Sequence, residues 1–529
     1  MNREQIFDDR LHKYYDELKW LYCEFYQNAQ NPMADFTILM QELKNYYDSR
    51  EPYLKELDIS RANDANWYKD NNFIGMMMYV EHFAGKIKAI EKRLPYLQES
   101  NVNLIYVKTQ RKYNGEIKNI YFEDKLGKID DWEKITKKCH EQNISIGWEF
   151  SLTDLTDMEI DTDKFKAIIN ELLTLTNWGI DVIYLDNIQV VSNEALKLKQ
   201  HNLLRMLRII SEIVCPGTLL VGNINSAIKM DNDYFGTKEK PQLHILVNQM
   251  LKNTLWHTVA TQDVALLKHE VDKYENISTV NTWQNLIHDE TTIQWNLDYE
   301  FLQTKGIDEN MHKAYLNEFF IGQFAGSFSC GLIHENGICG STASLCGIEY
   351  FDKHKEKENI AKAINLDILV HGFMLALTGI PLIYSGDEIA QYNNYDYQAD
   401  KRKQSDNQYV HRSSFNWRKA GRRKINNAIQ AKVYQGINTL EKLRMNYNVF
   451  KSIAKCYTID TWSKHILAIV RETDTEKLIA LYNFSEQEDT AWLNKEESVY
   501  KNLLTGQEDI KISELKMPAY SIMWLWRAK

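Results

Sequence analysis

The sequence has little of what marks several large classes of protein. Its seven cysteines are scattered, with no Cys-x-x-Cys pair and no spacing typical of metal ligands. An odd, dispersed set of cysteines is typical of reduced thiols in the cytoplasm, so we expect no disulfide framework, no metal and no organic cofactor. Only 7 prolines and 22 glycines interrupt 529 residues. We therefore expect a folded chain without low-complexity segments.

Long apolar runs are also missing. A membrane-spanning helix needs about 20 consecutive apolar residues. The longest candidate, residues 364–383, is broken by Asn365, Asp367, His371, Gly379 and Pro381. The first 19 residues are polar and lack the apolar core of a signal peptide. We expect a soluble cytosolic protein with no membrane association.

Positive charge is in the minority, because 63 basic residues face 73 acidic ones and no basic stripe is present. This balance argues against a nucleic-acid partner. Aromatic residues are plentiful, with 30 tyrosines and 13 tryptophans. Aromatic rings serve as platforms for sugars and also fill large cores. Composition alone leaves both uses open.

The hydrophobic pattern divides the chain into three regions, as its length suggests. Residues 1–72 show apolar spacings of three and four, which predict a helical N-terminal domain. Residues 73–432 alternate short apolar runs with amphipathic helices, which predicts a parallel α/β domain. Residues 433–529 read as one helix, 434–445, followed by an antiparallel β-sandwich with strands at 465–471, 478–483, 498–502 and 520–526.

The middle region contains eight apolar runs. Eight strand–helix units in about 360 residues predict a (β/α)₈ TIM barrel, whose active site would lie at the carboxyl ends of the strands. The predicted strands are 75–80, 104–107, 144–150, 181–185, 219–222, 244–247, 282–287 and 381–384.

Several stretches resemble the amylosucrase branch of the α-amylase superfamily, glycoside hydrolase family 13. The most specific is ALTGIPLIYSGDEIAQYNNYDY at 376–397, and SDNQYVHRSSFNW at 405–417 and LWHTVATQDVALLKHEV at 255–271 are also similar. The resemblance spans nearly the whole chain. It implies an α-glucoside or α-glucan ligand and a site built on three carboxyl groups: a nucleophile, an acid/base and a transition-state carboxylate.

The nucleophile position is retained. The segment WGIDVIYLDN, residues 178–187, resembles the fourth-strand motif of the family and puts Asp186 at a strand end. The family has an arginine two residues earlier, where this chain has Tyr184. The alternative is a purely structural role, in which Asp186 only caps the N-terminus of the following helix.

The acid/base position is substituted. Aligned on its closing Tyr-Phe-Gly, the fifth-strand segment 218–236 puts Asn223 where the family has glutamate. An amide does not donate a proton to a leaving group at neutral pH. Asp231 and Asp233 follow at a distance that suits a loop better than a catalytic position.

The third carboxylate has two alignments. Without gaps between Trp283 and Trp295, the His-Asp pair of the family falls on Glu290 and Thr291, so the carboxylate is lost; we prefer this alignment. A shift of two residues selects His288 and Asp289 instead. The transition-state position is therefore Thr291 or Asp289.

The third-strand region also departs from the family. Glu149, Thr153 and Asp154 stand in place of the motif Asp-x-x-x-Asn-His, and Glu149 is a candidate structural replacement. The long family insertion after this strand is missing, because only residues 155–175 intervene. The loop 110–127 lacks the Asp-Gly-Gly-Tyr motif.

Further polar residues are retained near the strand ends. Arg412 is expected to bind an anion, a sugar hydroxyl or Asp186, and His411 is retained beside it. Asp387 and Glu388 are expected to brace the eighth-strand loop by hydrogen bonds. Together with His288, Glu149 and Tyr184, the residues Arg412, His411 and Asp387 form our list of substrate-binding candidates.

Three functions fit these observations. The first, which we favour, is a catalytically impaired protein that binds an α-glucoside or α-glucan or regulates a partner, since loss of a general acid alone costs orders of magnitude in rate. The second is an active retaining α-glucosidase or transglucosylase with relocated carboxylates, with Asp186 as nucleophile. It requires another carboxyl group close to Asp186. The third is an interaction protein that forms a homodimer through its helical N-terminal region.

Overall fold

The computed structural model describes residues 3–108, 126–151, 160–191, 193–225, 232–273 and 281–529. Seventeen α-helices can be assigned in these ranges. They are α1 Arg3–Phe25, α2 Pro32–Ser49, α3 Pro52–Asn63, α4 Val80–Phe83, α5 Leu94–Glu99, α6 Ile129–His140, α7 Thr162–Asn177, α8 Glu194–Val214, α9 Gln249–Thr261, α10 Ala265–Asp272, α11 Tyr299–Thr304, α12 Glu309–Phe320, α13 Thr342–Leu345, α14 Ile348–His354, α15 Lys357–Ala376, α16 Trp417–Gly421 and α17 Ile429–Asn446.

Nineteen β-strands are present in the same part of the chain. They are β1 Gly75–Tyr79, β2 Leu104–Lys108, β3 Ser145–Ser151, β4 Val182–Gln189, β5 Leu219–Asn225, β6 Ile245–Asn248, β7 Thr282–Asn285, β8 Ile293–Gln294, β9 Leu332–His334, β10 Gly337–Cys339, β11 Ile380–Tyr384, β12 Lys455–Ile459, β13 Ile466–Glu472, β14 Glu476–Asn483, β15 Asp489–Trp492, β16 Val499–Asn502, β17 Ile510–Lys511, β18 Glu514–Met517 and β19 Ile522–Ala528.

Three helices precede the first strand, and they pack on the outer helices α7 and α8. The side chain of Asn31 accepts the Ala34 N–H and so caps the start of α2. The buried face of α2 carries apolar residues at the helical spacing, namely Phe36, Leu39, Leu43 and Tyr47. Arg50 is buried, pairs with Asp58 at 2.7 Å and donates to the Thr176 carbonyl at the end of α7. These helices therefore share one hydrophobic core with the barrel.

Eight strands form a closed parallel barrel in the order β1-β11-β7-β6-β5-β4-β3-β2. Each coincides with one of the eight runs expected from the sequence, with β11 as the eighth, so the (β/α)₈ barrel is confirmed. Between β3 and β4 the chain has only residues 152–161 besides α7 and its exit turn. The short connection agrees with the missing insertion.

Side chains alternate along each strand between the interior of the barrel and the surrounding helices. The interior positions form a hydrophobic cluster separate from the main core. Its strand residues are Met77, Leu104, Tyr106, Val182, Tyr184, Leu219, Val221, Ile245, Ile380, Leu382 and Tyr384. In five strands the next inward-facing position, two residues further on, holds a polar residue. These polar residues lie toward the carboxyl end of the barrel.

The segment between β7 and β11 is the longest excursion of the barrel. It holds a small antiparallel sheet of order β8-β10-β9 and the helices α11 to α15. The sequence pattern did not predict this sheet, because its strands are only two or three residues long.

After α17 the chain forms an antiparallel region with a six-stranded sheet of order β12-β13-β14-β19-β16-β17 and a two-stranded sheet β15-β18. Four of these strands match the expected ones, and β12, β15, β17 and β18 are additional. Apolar side chains from both sheets pack in a common core, which gives the sandwich arrangement.

Two buried arginines join this C-terminal region to the barrel. Arg444 donates to the carbonyls of Leu375 and Gly379 at 2.6 and 2.7 Å, and Arg471 donates to the carbonyl of Ala376 at 3.0 Å. Buried carbonyls need such partners because water does not reach them. The two guanidinium groups thus fix the turn that leads into β11.

No helix in the described ranges is long and apolar enough to cross a membrane.

Gly147 in β3 is required by the packing inside the barrel. A Cβ atom there would lie 2.6 Å from Cε2 of Tyr184, whose ring stacks on Tyr106 with centroids 3.6 Å apart. We therefore expect Gly147→Ala to destabilise the protein by about 1–3 kcal/mol through overpacking. The measurement is the midpoint of thermal unfolding.

Gly421→Ala is the matched control, because its added Cβ meets nothing within 4 Å and its φ is −59° in a helical turn. This variant should unfold at the wild-type midpoint or slightly above it. Equal destabilisation by both variants would contradict the packing argument.

Candidate active site

Five polar side chains occupy inward-facing positions at or near the carboxyl ends of β1 to β5. They are Tyr79, Lys108, Glu149, Asp186 and Asn223, one from each strand in chain order. Because parallel strands of a barrel all end at one face, the alternation brings these residues together there. This face is where barrel enzymes carry their active sites.

Asp186 and Asn223 are joined directly. The Asn223 amide donates to Oδ1 of Asp186 at 2.6 Å, and the Gln249 amide at the start of α9 donates to Oδ1 of Asn223 at 2.9 Å. This chain of contacts fixes the orientation of the Asn223 amide, with its nitrogen toward the carboxylate. The group at the acid/base position is thus a hydrogen-bond donor to Asp186 that has no proton to transfer.

Glu149 is the second carboxyl group beside Asp186. Its side chain shares a hydrogen bond with that of Asp186. Burial raises the pKa of Glu149 to about 7, and the charges of Asp186 and Glu290 act in the same direction, while Lys108 opposes them. Two carboxyl groups in contact favour one shared proton, because two negative charges so close repel each other.

Lys108 and Glu290 form a buried ion pair in the same cluster, and Nζ of Lys108 lies 3.8 Å from Glu149. Burial alone would lower the pKa of Lys108, but Glu290, Tyr106 and Glu149 hold it well above the ordinary value. The other oxygen of Glu290 is buried and has no hydrogen-bond partner among the described residues. Sequence reasoning missed Lys108, although Leu104, Tyr106 and Lys108 share the inward phase of one strand.

The two candidates for the transition-state carboxylate lie together around Lys252 of α9. Its Nζ is 2.9 Å from both oxygens of Asp289 and 2.9 Å from the Thr291 hydroxyl, which itself donates to Asp289 at 2.6 Å. Burial works against ionisation of Asp289, but Lys252 and Thr291 outweigh it and keep its pKa below the usual range. Glu290, which lies between Asp289 and Thr291 in the sequence, brings a further carboxylate that pairs with Lys108.

His288, Asp387 and His411 lie beside the end of β11. Nδ1 of His288 is 2.9 Å from Oδ2 and 3.1 Å from Oδ1 of Asp387, so the two groups form a buried pair. Nε2 of His288 is buried without a partner among the described residues. Nδ1 of His411 accepts the Gly340 N–H at 3.1 Å, and burial lowers the pKa of His411 well below its ordinary value.

Arg412 is held at the edge of the cluster by backbone and loop contacts. Its Nε donates to the Glu290 carbonyl at 2.7 Å, its Nη2 contacts Gln408, and Nη1 lies 3.9 Å from Asp406. The guanidinium therefore fixes the backbone of Glu290. Its described partners do not include Asp186, which was one of the partners expected for it.

The remaining candidates divide between the barrel interior and the undescribed segments. Tyr184 lies inside the barrel, where Gln284 donates to its hydroxyl at 2.7 Å, so it is a packing residue below the cluster and not a surface for substrate. Glu388 is braced as expected, by the Tyr96 hydroxyl and the Gly386 N–H. Thr153, Asp154, Asp231 and most of the loop 110–127 lie outside the described residues.

One group of potential metal ligands exists in the described chain, namely His269, Glu270 and Asp298. The ammonium group of Lys273 already lies 2.7 Å from Glu270 and 3.2 Å from Asp298. A cation of the protein itself thus neutralises these carboxylates, and we assign no metal to them.

Known proteins with a similar sequence or fold indicate what this chain is related to. No protein-family model matches the chain. The chain is 23% identical over 392 residues to glucosylglycerate phosphorylase from Escherichia coli (strain K12); the match covers 70% of this chain and 66% of that protein, just under two thirds of its length.

Among solved structures, AmyP in complex with maltose aligns with a TM-score of 0.58 and 12% identity over 88% of this chain and 98% of that one. A cyclic alpha-maltosyl-(1→6)-maltose hydrolase from Arthrobacter globiformis aligns with a TM-score of 0.57 and 12% identity, over 87% and 99% of the two chains. The fold is that of the α-amylase family, as the sequence resemblance implied.

The protonation of Glu149 can be tested by two substitutions with opposite effects. We expect its carboxyl group to titrate near pH 7 in the wild-type protein. Asp186→Asn should lower this pKa because it removes a neighbouring negative charge, and Lys108→Met should raise it because it removes a positive one. Infrared difference spectra of the protonated carboxyl band between pH 5 and 9, assigned with Glu149→Gln, measure both shifts.

Circular dichroism of each variant checks that the fold is retained. A shift of the same sign in Asp186→Asn and Lys108→Met, or a wild-type carboxyl that is already ionised at pH 5, would refute the proposed coupling.

Proposed function

We propose that this chain is a carbohydrate-binding protein of the α-amylase superfamily that holds an α-glucoside or α-glucan at the carboxyl end of its barrel and is impaired in hydrolysis. The observation that carries the proposal is the hydrogen-bonded chain Gln249–Asn223–Asp186. An amide built into this network occupies the position of the general acid.

The chemistry of the cluster supports a sugar as ligand. A sugar hydroxyl both donates and accepts hydrogen bonds. Oε2 of Glu290 is a buried acceptor without a partner among the described residues, and Nε2 of His288, two residues earlier, is a buried nitrogen that also has none there. Buried acceptors of this kind are stabilised when a ligand hydroxyl donates to them.

Impaired hydrolysis follows from the same contacts. General acid catalysis contributes roughly 10²–10⁴-fold in rate, and an amide does not supply it. Asp289, one candidate for the third carboxylate, is paired with Lys252. The double displacement typical of retaining glycosidases would therefore proceed without its general acid and with this carboxylate held by a lysine.

A second candidate function has one observation in its favour. Glu149 combines a pKa of about 7 with direct contact to Asp186, so it has the acidity of a general acid. In this alternative, Asp186 is the nucleophile of a retaining α-glucosidase or transglucosylase and Glu149 protonates the leaving group. The geometry disfavours it, because the two carboxyl groups of a retaining enzyme stand about 5 Å apart on either side of the bond.

Domain organisation and location are part of the same proposal. We assign residues 1–72, 73–432 and 433–529 to the helical, barrel and β domains. A cytoplasmic location is supported by the seven cysteines, all of which are free.

Binding is tested by calorimetric titration with maltotriose and maltose. We expect saturable binding by the wild-type protein and an affinity at least about tenfold lower for Asp186→Ala, which corresponds to a loss of about 1.4 kcal/mol. Asp474→Ala, at an exposed turn of the β domain, is the control and should bind like the wild type. Equal affinity in the wild type and Asp186→Ala would overturn the assignment of the site.

Turnover of p-nitrophenyl α-glucoside and maltotriose separates the two candidate functions. We expect the wild-type protein to release product no faster than Asp186→Asn. If the wild-type protein releases product and both Asp186→Asn and Glu149→Gln abolish this release, the chain is an active hydrolase or transglucosylase. That result would refute the proposal of impaired hydrolysis.

A further inference from the structure

Two tryptophans stand out on the surface of the C-terminal β region. Trp462 is 83% exposed and Trp492 is 50% exposed. Of the thirteen tryptophans in the chain, only Trp20 is comparably exposed. Large aromatic side chains left in water at neighbouring positions mark surfaces that bind a ligand or partner.

Hydrogen bonds tie the chain on both sides of Trp462 to the strand that carries Trp492. The N–H of Trp492 donates to the Thr461 carbonyl at 2.8 Å, which links the residue before Trp462 to β15. The Ser463 hydroxyl contacts Asp489 at 2.5 Å, so the next residue is tied to the same strand. Both indoles are therefore presented from one braced corner.

Local conformation directs each ring outward. Trp462 has a φ of +56°, a left-handed conformation that costs a bulky residue roughly 1–3 kcal/mol. Trp492 occupies the outward phase of β15, between the buried Ala491 and Leu493. Exposure of both rings is thus a consequence of fixed backbone geometry.

The size of this surface limits its ligand. A tryptophan side chain offers about 150–250 Å², so the two exposed portions amount to roughly 250–300 Å². A stable protein interface buries about 800 Å² on each partner. The surface matches one or two rings of a small ligand far better than a second protein.

The surroundings match a pyranose. A sugar ring presents a face of C–H groups that packs on an indole and a rim of hydroxyls that seek hydrogen-bond acceptors. Glu514 lies opposite Trp492 in the β15–β18 pair, and it is exposed. Asp489 adds a half-buried carboxylate beside the corner.

This corner lies far from the cluster around Asp186. The carbonyl of Lys464 accepts the Val264 N–H at 2.9 Å, and His465 contacts the Gln262 carbonyl, just beyond the end of α9. Gln249, which binds Asn223, begins the same helix. Thirteen residues of α-helix separate these points by about 20 Å. A sugar on the tryptophans therefore does not touch the barrel cluster.

We propose that Trp462 and Trp492 form a second carbohydrate site, which binds successive glucose units of an α-glucan by stacking. The identity of the sugar rests on the proposed function, and the position of the site does not. Binding at this site anchors the protein to a polysaccharide without involving the opening of the barrel.

Native gel electrophoresis through glycogen or amylopectin tests this site. We expect both polysaccharides to retard the wild-type protein, and the double variant Trp462→Ala/Trp492→Ala to require at least tenfold more polysaccharide for the same retardation. Trp20→Ala is the matched control, because it removes an exposed indole from α1. Trp20→Ala should be retarded like the wild type.

The outcomes separate this proposal from the preceding one. Unchanged retardation of the double variant, or no retardation of the wild type, overturns the second site. Maltotriose binding that persists in the double variant and is lost in Asp186→Ala leaves the barrel proposal intact whatever the gels show. A wild-type dimer that becomes monomeric in the double variant, measured by light scattering, assigns the tryptophans to a protein contact and also overturns the second site.

Discussion

Closure of the parallel barrel is the constraint from which the site follows. Once eight strands close on themselves, every second side chain of each strand points inside, and the end of every strand lies on one rim. Tyr106, Tyr184 and Gly147 fill the interior just below that rim. Lys108 follows Tyr106, and Asp186 follows Tyr184, by two residues. Their side chains therefore lie at the opening of the barrel. The polar cluster is thus a geometric result of alternation as much as of chemistry.

Charge compensation then decides what the cluster is able to do. Asp186, Glu149 and Glu290 bring acidic groups into a confined space, and Lys108 is the buried cation among them. In such surroundings burial raises the pKa of Glu149 to about 7, and the charges of Asp186 and Glu290 act in the same direction. Asn223 contributes an amide dipole without adding charge. The arrangement stabilises a fixed set of hydrogen-bonding groups, which suits recognition of a neutral polar ligand.

Much of this architecture can be predicted from the sequence. Eight apolar runs give the barrel strands to within four residues at each end, and motif alignment assigns Asp186 and Asn223 to the fourth and fifth strands, although it does not predict the hydrogen bond between them. The small strands β15 and β18 escape prediction, since four residues with mixed polarity show no reliable period.

The contacts after β7 could not be predicted, for a different reason. The strand ends at Asn285, and alternation no longer applies to the following segment. In the structure Asp289 pairs with Lys252 and Glu290 pairs with Lys108. Lys252 lies on a helix and Lys108 on a strand, and pairings between such distant parts of the chain leave no trace in local sequence. The position of the third carboxylate, Asp289 or Thr291, therefore stays a prediction of the motif alignment.

The ion pair between Lys108 and Glu290 joins residues 182 positions apart along the chain. Bringing such distant residues together costs loop-closure entropy. A barrel without the segment after β7 would leave the buried lysine without this partner, and an unpaired charge in a dry interior is costly. The pair thus couples the first half of the barrel to the last, because only the complete ring of strands neutralises its own centre.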